Sequence, residues 1–174
     1  MPNWCENVVT VRADTDGELQ RFVAHVRDYN EEPGKDHPFS FNKIMPLPNE
    51  LRGTRSPVQI CTPDEYHAWI KDNQPTYENE FRPITQEMSD RFIKQYGADN
   101  WYDWQATNWG TKWDVKGEEV AATIDGSYAR YEFDTAWGPP EGIYKHLVKL
   151  FPRHGISWYY HEPGAAFAGY LEND

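Results

Sequence analysis

Basic residues are in short supply: 17 Lys and Arg stand against 28 Asp and Glu, for a formal net charge of −11. Duplex nucleic acid and anionic membranes are bound through Lys and Arg, so neither is an expected partner. A basic partner fits this balance, as does a protein that itself binds nucleic acid; acidity that serves solubility alone fits it too. Cysteine is nearly absent. Cys5 and Cys61 are far apart, in no metal or redox spacing, so reduced thiols in a cytoplasm are expected. No apolar run approaches the ~20 residues of a membrane helix. The opening Met1-Pro2-Asn3-Trp4-Cys5-Glu6-Asn7 has neither the basic start nor the apolar run of a signal peptide. The signatures of common catalytic sites are missing as well: there is no Gly-x-Ser-x-Gly nucleophile motif and no phosphate-cradling glycine loop. None of His25, His37, His67, His146, His154 and His161 shows the i, i+4 pairing with Glu that marks a zinc helix. No metal and no cofactor are expected. Cys5 would need a His or a cation beside it to become a nucleophile, and the sequence names neither, and His161-Glu162 beside Trp158 reads as a surface turn before it reads as an acid–base pair.

What the chain does have is aromatic surface. Aromatics make up 16% of it, with eight Trp and eleven Tyr. Such side chains bury large areas and also line recognition surfaces. A chain of 174 residues suits one domain with an insertion, and a domain of that size buries roughly 70% of the surface its unfolded form exposes.

The periodicity gives an alternating pattern of elements. Residues 4–13 read as a strand. Thr15-Asp16-Gly17-Glu18 reads as a capping box, in which the Thr15 hydroxyl takes the Glu18 N–H and Glu18 reaches back. Leu19, Phe22, Val23 and Val26 then recur at helical spacing, to about Tyr29. A polar loop is expected at 30–38, and the alternation of residues 39–44 predicts a second strand, stopped by Pro46 and Pro48. From about 47 to 117 the texture is that of a helical insertion, with helices after the Thr62 capping box and over 85–96, and an irregular stretch at 74–83. Asp125-Gly126 separates two strands at 120–124 and 128–136, as a tight hairpin requires. In the second arm Ala129, Tyr131, Phe133 and Thr135 share one face, and Arg130, Glu132 and Asp134 the other. A helix from Pro139 to Phe151 and strands at 156–160 and 167–171 follow. Two strand–helix–strand units on one mostly antiparallel sheet predict an α+β, ferredoxin-like domain over residues 1–174, with helices on one face and the insertion at about 47–117.

Four stretches mix Trp with amide or turn-forming residues at element ends: Asn3-Trp4-Cys5-Glu6-Asn7, Asn108-Trp109-Gly110-Thr111-Lys112-Trp113-Asp114, Asp134-Thr135-Ala136-Trp137-Gly138-Pro139-Pro140 and Glu162-Pro163-Gly164. Rings give area and amides give direction, which suits ligand recognition; the same composition suits well-packed corners. These stretches, with Phe41, Lys43-Ile44-Met45-Pro46, Phe133, Phe167 and Gly169, resemble the YubB ferredoxin-like (Api-like) family. The likeness runs from Met1 to about Gly169 and is weakest over 52–102. It implies a ferredoxin-like fold and a setting in phages, prophages and plasmids, hence a bacterial host cytoplasm, and it brings no catalytic residues.

The expected site lies where three motifs meet: Asn3 and Trp4; Asn108, Trp109, Lys112 and Trp113; Thr135 and Trp137. Lys112 among indoles suits an anion, a ring face or Asp114. The expected function is non-enzymatic binding by an accessory protein of a phage or mobile element. In one form the acidic surface blocks a host nucleic-acid-binding or defence protein; in the other the motifs hold a small anionic ligand such as a nucleotide. An enzyme with an unrecognised site is the third class.

Overall fold

In the computed structural model, which describes residues 3–29, 36–73 and 81–172, the first strand, β1 (Trp4–Arg12), sends alternate side chains to opposite sides. Cys5, Asn7, Val9 and Val11 are buried, while Trp4, Glu6 and Arg12 are exposed. Helix α1 (Asp16–Val26) follows. The Thr15 side chain accepts the Glu18 N–H, but the expected return bond does not form, because the Glu18 carboxylate takes Arg153 at 2.8 Å instead. Leu19, Phe22, Val23 and Val26 are the buried side of α1, which ends three residues before Tyr29.

Residues 39–44 are not the strand that their alternation predicts. Ser40 caps a single helical turn, α2 (Phe41–Ile44), by accepting the Lys43 N–H. The Asp114 carboxylate takes the N–H groups of Phe41 (2.7 Å) and Asn42 (3.0 Å) and the Ser40 hydroxyl (3.0 Å). A carboxylate at a helix N-terminus satisfies donors that the helix itself leaves unpaired. Phe39, Phe41 and Ile44 are all buried.

The chain divides into two compact units, Leu47–Thr107 and the remainder. The first holds β2 (Ile60–Cys61), α3 (Pro63–Asp72), β3 (Ile84–Thr85), α4 (Gln86–Tyr96) and all but the last residue of α5 (Trp101–Asn108). β2 and β3 pair in parallel. Thr62 and Glu65 form a complete capping box at α3, and Gly97 closes α4 in the left-handed conformation. Glu50 accepts from Tyr96 (2.6 Å) and Arg91 (2.8 Å). Residues 108–117, expected in the insertion, lie with the sheet unit. Residues 30–35 of the polar loop and 74–80 of the irregular stretch fall outside the described residues.

The sheet unit continues with β4 (Ala121–Asp125), β5 (Tyr128–Ala136), α6 (Glu141–Leu150), β6 (Gly155–Glu162) and β7 (Phe167–Tyr170). The β4–β5 turn consists of Gly126 and Ser127, one position later than Asp125-Gly126. Gly126 sits at φ 53°, and Ser127 is not in the positive-φ region, the pattern of a type II′ hairpin turn. The sheet order is β4-β5-β1-β6-β7, with every neighbouring pair antiparallel. β1–α1–β4 and β5–α6–β6 are two strand–helix–strand units with interleaved strands, which is the ferredoxin-like α+β arrangement. The second strand of the first unit is β4.

Both helices lie on one face. Val9 pairs with Tyr131 on one side and Trp158 on the other. The Phe39 ring lies 5.1 Å from Tyr131, 5.2 Å from Phe133 and 5.9 Å from Trp158. Phe22 of α1 meets Phe151 at 5.1 Å, and Tyr144 of α6 meets Trp158 at 6.1 Å. Such ring pairs add about 0.5–1.5 kcal/mol each beyond the area they bury. One polar network runs through this layer. Asn7 donates to the Cys5 carbonyl and to the Thr135 hydroxyl, both at 2.8 Å, and accepts the Trp158 indole N–H at 3.0 Å. Thr135 passes its own proton to the Gly138 carbonyl at 2.7 Å. Every member is satisfied, so the network fixes the end of β5 without a desolvation cost left open. Among the described residues, no helix is long and apolar enough to cross a membrane.

Candidate functional site

The start of β1 and the end of β5 lie side by side, with Trp4 opposite Ala136. Segment 111–115 crosses this end of the sheet and is anchored at both of its own ends. Thr111 donates to the Ala136 carbonyl at 3.3 Å, and Asp114 is tied to α2 and to the Val115 N–H at 2.8 Å. Between the anchors, Trp113 stands outward with its ring centroid 6.3 Å from that of Trp4 and the planes 34° apart. The Lys112 ammonium lies 3.6 Å from the Trp113 ring centroid and 4.5 Å from that of Trp137, inside the ~6 Å range of a cation–π contact. Trp137 holds φ 68°, a conformation that bulky L residues rarely adopt; its N–H donates to the Asn3 carbonyl at 2.8 Å. Trp4, Trp113 and Trp137 remain 46%, 41% and 48% exposed.

Beside these rings is a groove of about 460 Å³, within the roughly 300–1,000 Å³ of ligand sites. Trp4, Trp113, Val115 and Ala136 give it apolar walls, and Lys116, Glu119 and Asp134 give it charge. Asp114 also lines it, but its carboxylate is engaged by α2; burial pushes this carboxyl up, against the pull of its hydrogen-bond donors. Burial together with Glu6 and Glu119 pushes the Asp134 carboxyl above its ordinary value. Glu119 accepts from Lys116 at 2.8 Å on the surface. The pair adds little to stability at this exposure, and because its charges offset each other, Asp134 carries the excess negative charge of the groove. Part-exposed indoles beside the Asp134 carboxylate suit a cation.

The structure brings together Trp4, Lys112, Trp113 and Trp137, with Asn3 held through its carbonyl and Thr135 as buried support. It does not bring Asn108 and Trp109 to the groove. Trp109 is 1% exposed, and its indole N–H donates to the Met45 carbonyl at 2.9 Å. The Asn108 carbonyl packs so closely on Gly142 that a Cβ there would lie 1.9 Å from it; only glycine fits. His161 and Glu162 point apart: His161 meets Glu6 at 3.4 Å, and Glu162 is buried, accepting the Gly164 N–H at 2.8 Å and the Ala165 N–H. Burial pushes the Cys5 thiol up to about 11, away from thiolate chemistry at neutral pH. Among the described residues, no group of three or more His, Cys, Asp or Glu could hold a metal. The sequence reading missed Glu119 and Lys116. Strand parity placed Asp134 on the outer face but did not connect it to Trp4.

Residues 106–174 match the model of a family described as the ferredoxin-like domain in Api92-like protein. That stretch holds Trp113, Lys112, β4, β5, α6, β6 and β7; β1 with Trp4 lies outside it. The crystal structure of a protein api92 from Yersinia pseudotuberculosis is similar over 98% of this chain and 93% of that chain, at 12% identity and a TM-score of 0.44. No curated protein matches the chain.

Proposed function

We propose that the protein acts by binding and not by catalysis, and that the groove beside Trp4 and Trp113 receives a positively charged part of a partner protein. The observation that carries this reading is the exposure of both indoles beside Asp134 and Glu119. A cation placed there gains ring quadrupole and carboxylate charge together, and partial desolvation strengthens both. The unusual backbone of Trp137 supports the same reading, since strained residues cluster where a surface is held ready for use. In the phage or plasmid setting that the family resemblance implies, such a protein is an accessory factor inside the bacterial cell. Its partner would be a basic host protein, of the nucleic-acid-binding or defence class, whose cationic surface it covers. The formal net charge of −11 adds long-range steering toward such a surface.

A small anion would depend on Lys112. Its ammonium already lies against two rings and is not among the groove-lining groups, so the anion reading is the weaker one. Affinity capture from bacterial lysate at low and high salt, using the native chain and Asp134→Lys, tests the proposal. Basic proteins retained at low salt, released at high salt and lost with Asp134→Lys are expected. Capture that ignores salt and Asp134→Lys, or recovery of nucleotides in place of protein, would overturn it.

A further inference from the structure

The groove also contains open sheet edge. The pairing of Asn3 and Trp137 through the Trp137 N–H fixes the parity of the β1–β5 ladder: odd-numbered residues of β5 turn their backbone groups to β1, and Asp134 and Ala136 turn theirs to the other side. On that side β4 stops at Ala121, opposite Glu132. The chain arrives there through a helical turn, Gly117–Glu119, whose backbone bonds are local: Glu119 N–H to the Lys116 carbonyl at 2.9 Å and Val120 N–H to the Gly117 carbonyl at 3.2 Å. Thr111 occupies the Ala136 carbonyl. The N–H and C=O of Asp134 have no partner beyond β1 among the described residues, and Asp134 is exposed, whereas Ala136 is covered. Unpaired strand edges are templates for an added strand.

Resting on the binding reading above, we infer that the partner enters as an extended segment that adds to β5 at Asp134, in line with β4, and sets a basic side chain between the Trp4 and Trp113 indoles and the Asp134 and Glu119 carboxylates. The register supports this placement. A residue opposite Asp134 projects to the same face as Asp134, and Trp4 and Glu6 lie on that face too. The edge is short, with the two backbone groups of one residue, Asp134. Backbone bonds therefore position the segment, and the basic side chain supplies the recognition.

The probe is a capped octapeptide of alternating Arg and Thr, with two further versions N-methylated at every second backbone nitrogen, one in each phase, and arginine amide as the side-chain control. Binding to the full chain is followed by indole fluorescence and by 15N–1H spectra. The octapeptide is expected to quench indole emission at low salt and to shift the Asp134 amide. One methylated phase is expected to bind at least about 10-fold more weakly, because every donor that it turns to β5 is gone, and Asp134→Asn to weaken the parent peptide about 3- to 10-fold. If both methylated phases bind within about twofold of the parent, or the shifts fall away from Asp134, strand addition is wrong while the cation reading stands. If neither the octapeptide nor arginine amide perturbs Trp4 or Trp113, both fall.

Discussion

Trp109 and Trp113 stand four residues apart in one motif and occupy opposite environments. Trp109 is 1% exposed, contacts the Phe41 ring at 5.9 Å and gives its N–H to Met45. Trp113 is 41% exposed and stands between Trp4 and the Lys112 ammonium. The first indole holds two segments of the sheet unit together. The second is held in place by its neighbours and leaves area uncovered. A fold that needed both rings for packing would have buried both, so the difference separates what builds the corner from what the corner displays.

The largest effect that breaks this comparison is expected at Trp109. Trp109→Ala removes a fully buried indole and strands the Met45 carbonyl, for a loss of about 3–5 kcal/mol, read as a fall in the denaturant midpoint. Next is Asn7→Leu, which leaves the Trp158 N–H without its acceptor and Thr135 without its donor. Buried groups left unpaired cost about 1–3 kcal/mol, and equilibrium unfolding measures it. Acid should act on the same interior. Burial lowers the pKa of His25 and of His146, and His146 adds to the effect on His25. The folded state therefore binds these protons less readily than the unfolded state. Stability is complete above about pH 6.5 and declines as pH falls below it; a melting temperature that is flat from pH 7.5 to 5.5 would contradict this. The smallest effect belongs to Lys112→Ala, which removes two ring contacts from a half-exposed ammonium. A loss of about 1 kcal/mol and a change in indole emission as Trp113 loosens are expected; a loss of 3 kcal/mol or more would make Lys112 a core element.

Periodicity made the inner layer legible. The alternation of β1 and β5, the helical spacing of Leu19, Phe22, Val23 and Val26, and the Thr62 capping box each depend on neighbours in sequence. Residues 39–44 were misread because what makes them helical is remote: the Asp114 carboxylate, 73 positions from Phe41, takes the first amides of the turn. Helix α5 has no apolar stripe to reveal it, and two-residue strands such as β2 carry too little pattern to detect. At the site, composition found the motifs but could not sort their members. Trp109 and Trp113 are the same residue in the same stretch, and only packing against Phe41 and Met45 tells them apart. Glu119 entered the groove through a helical turn that no local signal marked.

The central claim is that the exposed indoles serve a partner and not the fold. The most direct measurement is made on Trp113→Ala: its melting temperature together with its affinity for the alternating Arg–Thr octapeptide at low salt. The account predicts a loss of stability of about 1 kcal/mol, the size of the ring contacts given up, with binding weakened at least about 10-fold, the size of a partly desolvated cation–π contact. A destabilised variant that binds the peptide as the native chain does would show that the corner is architecture alone.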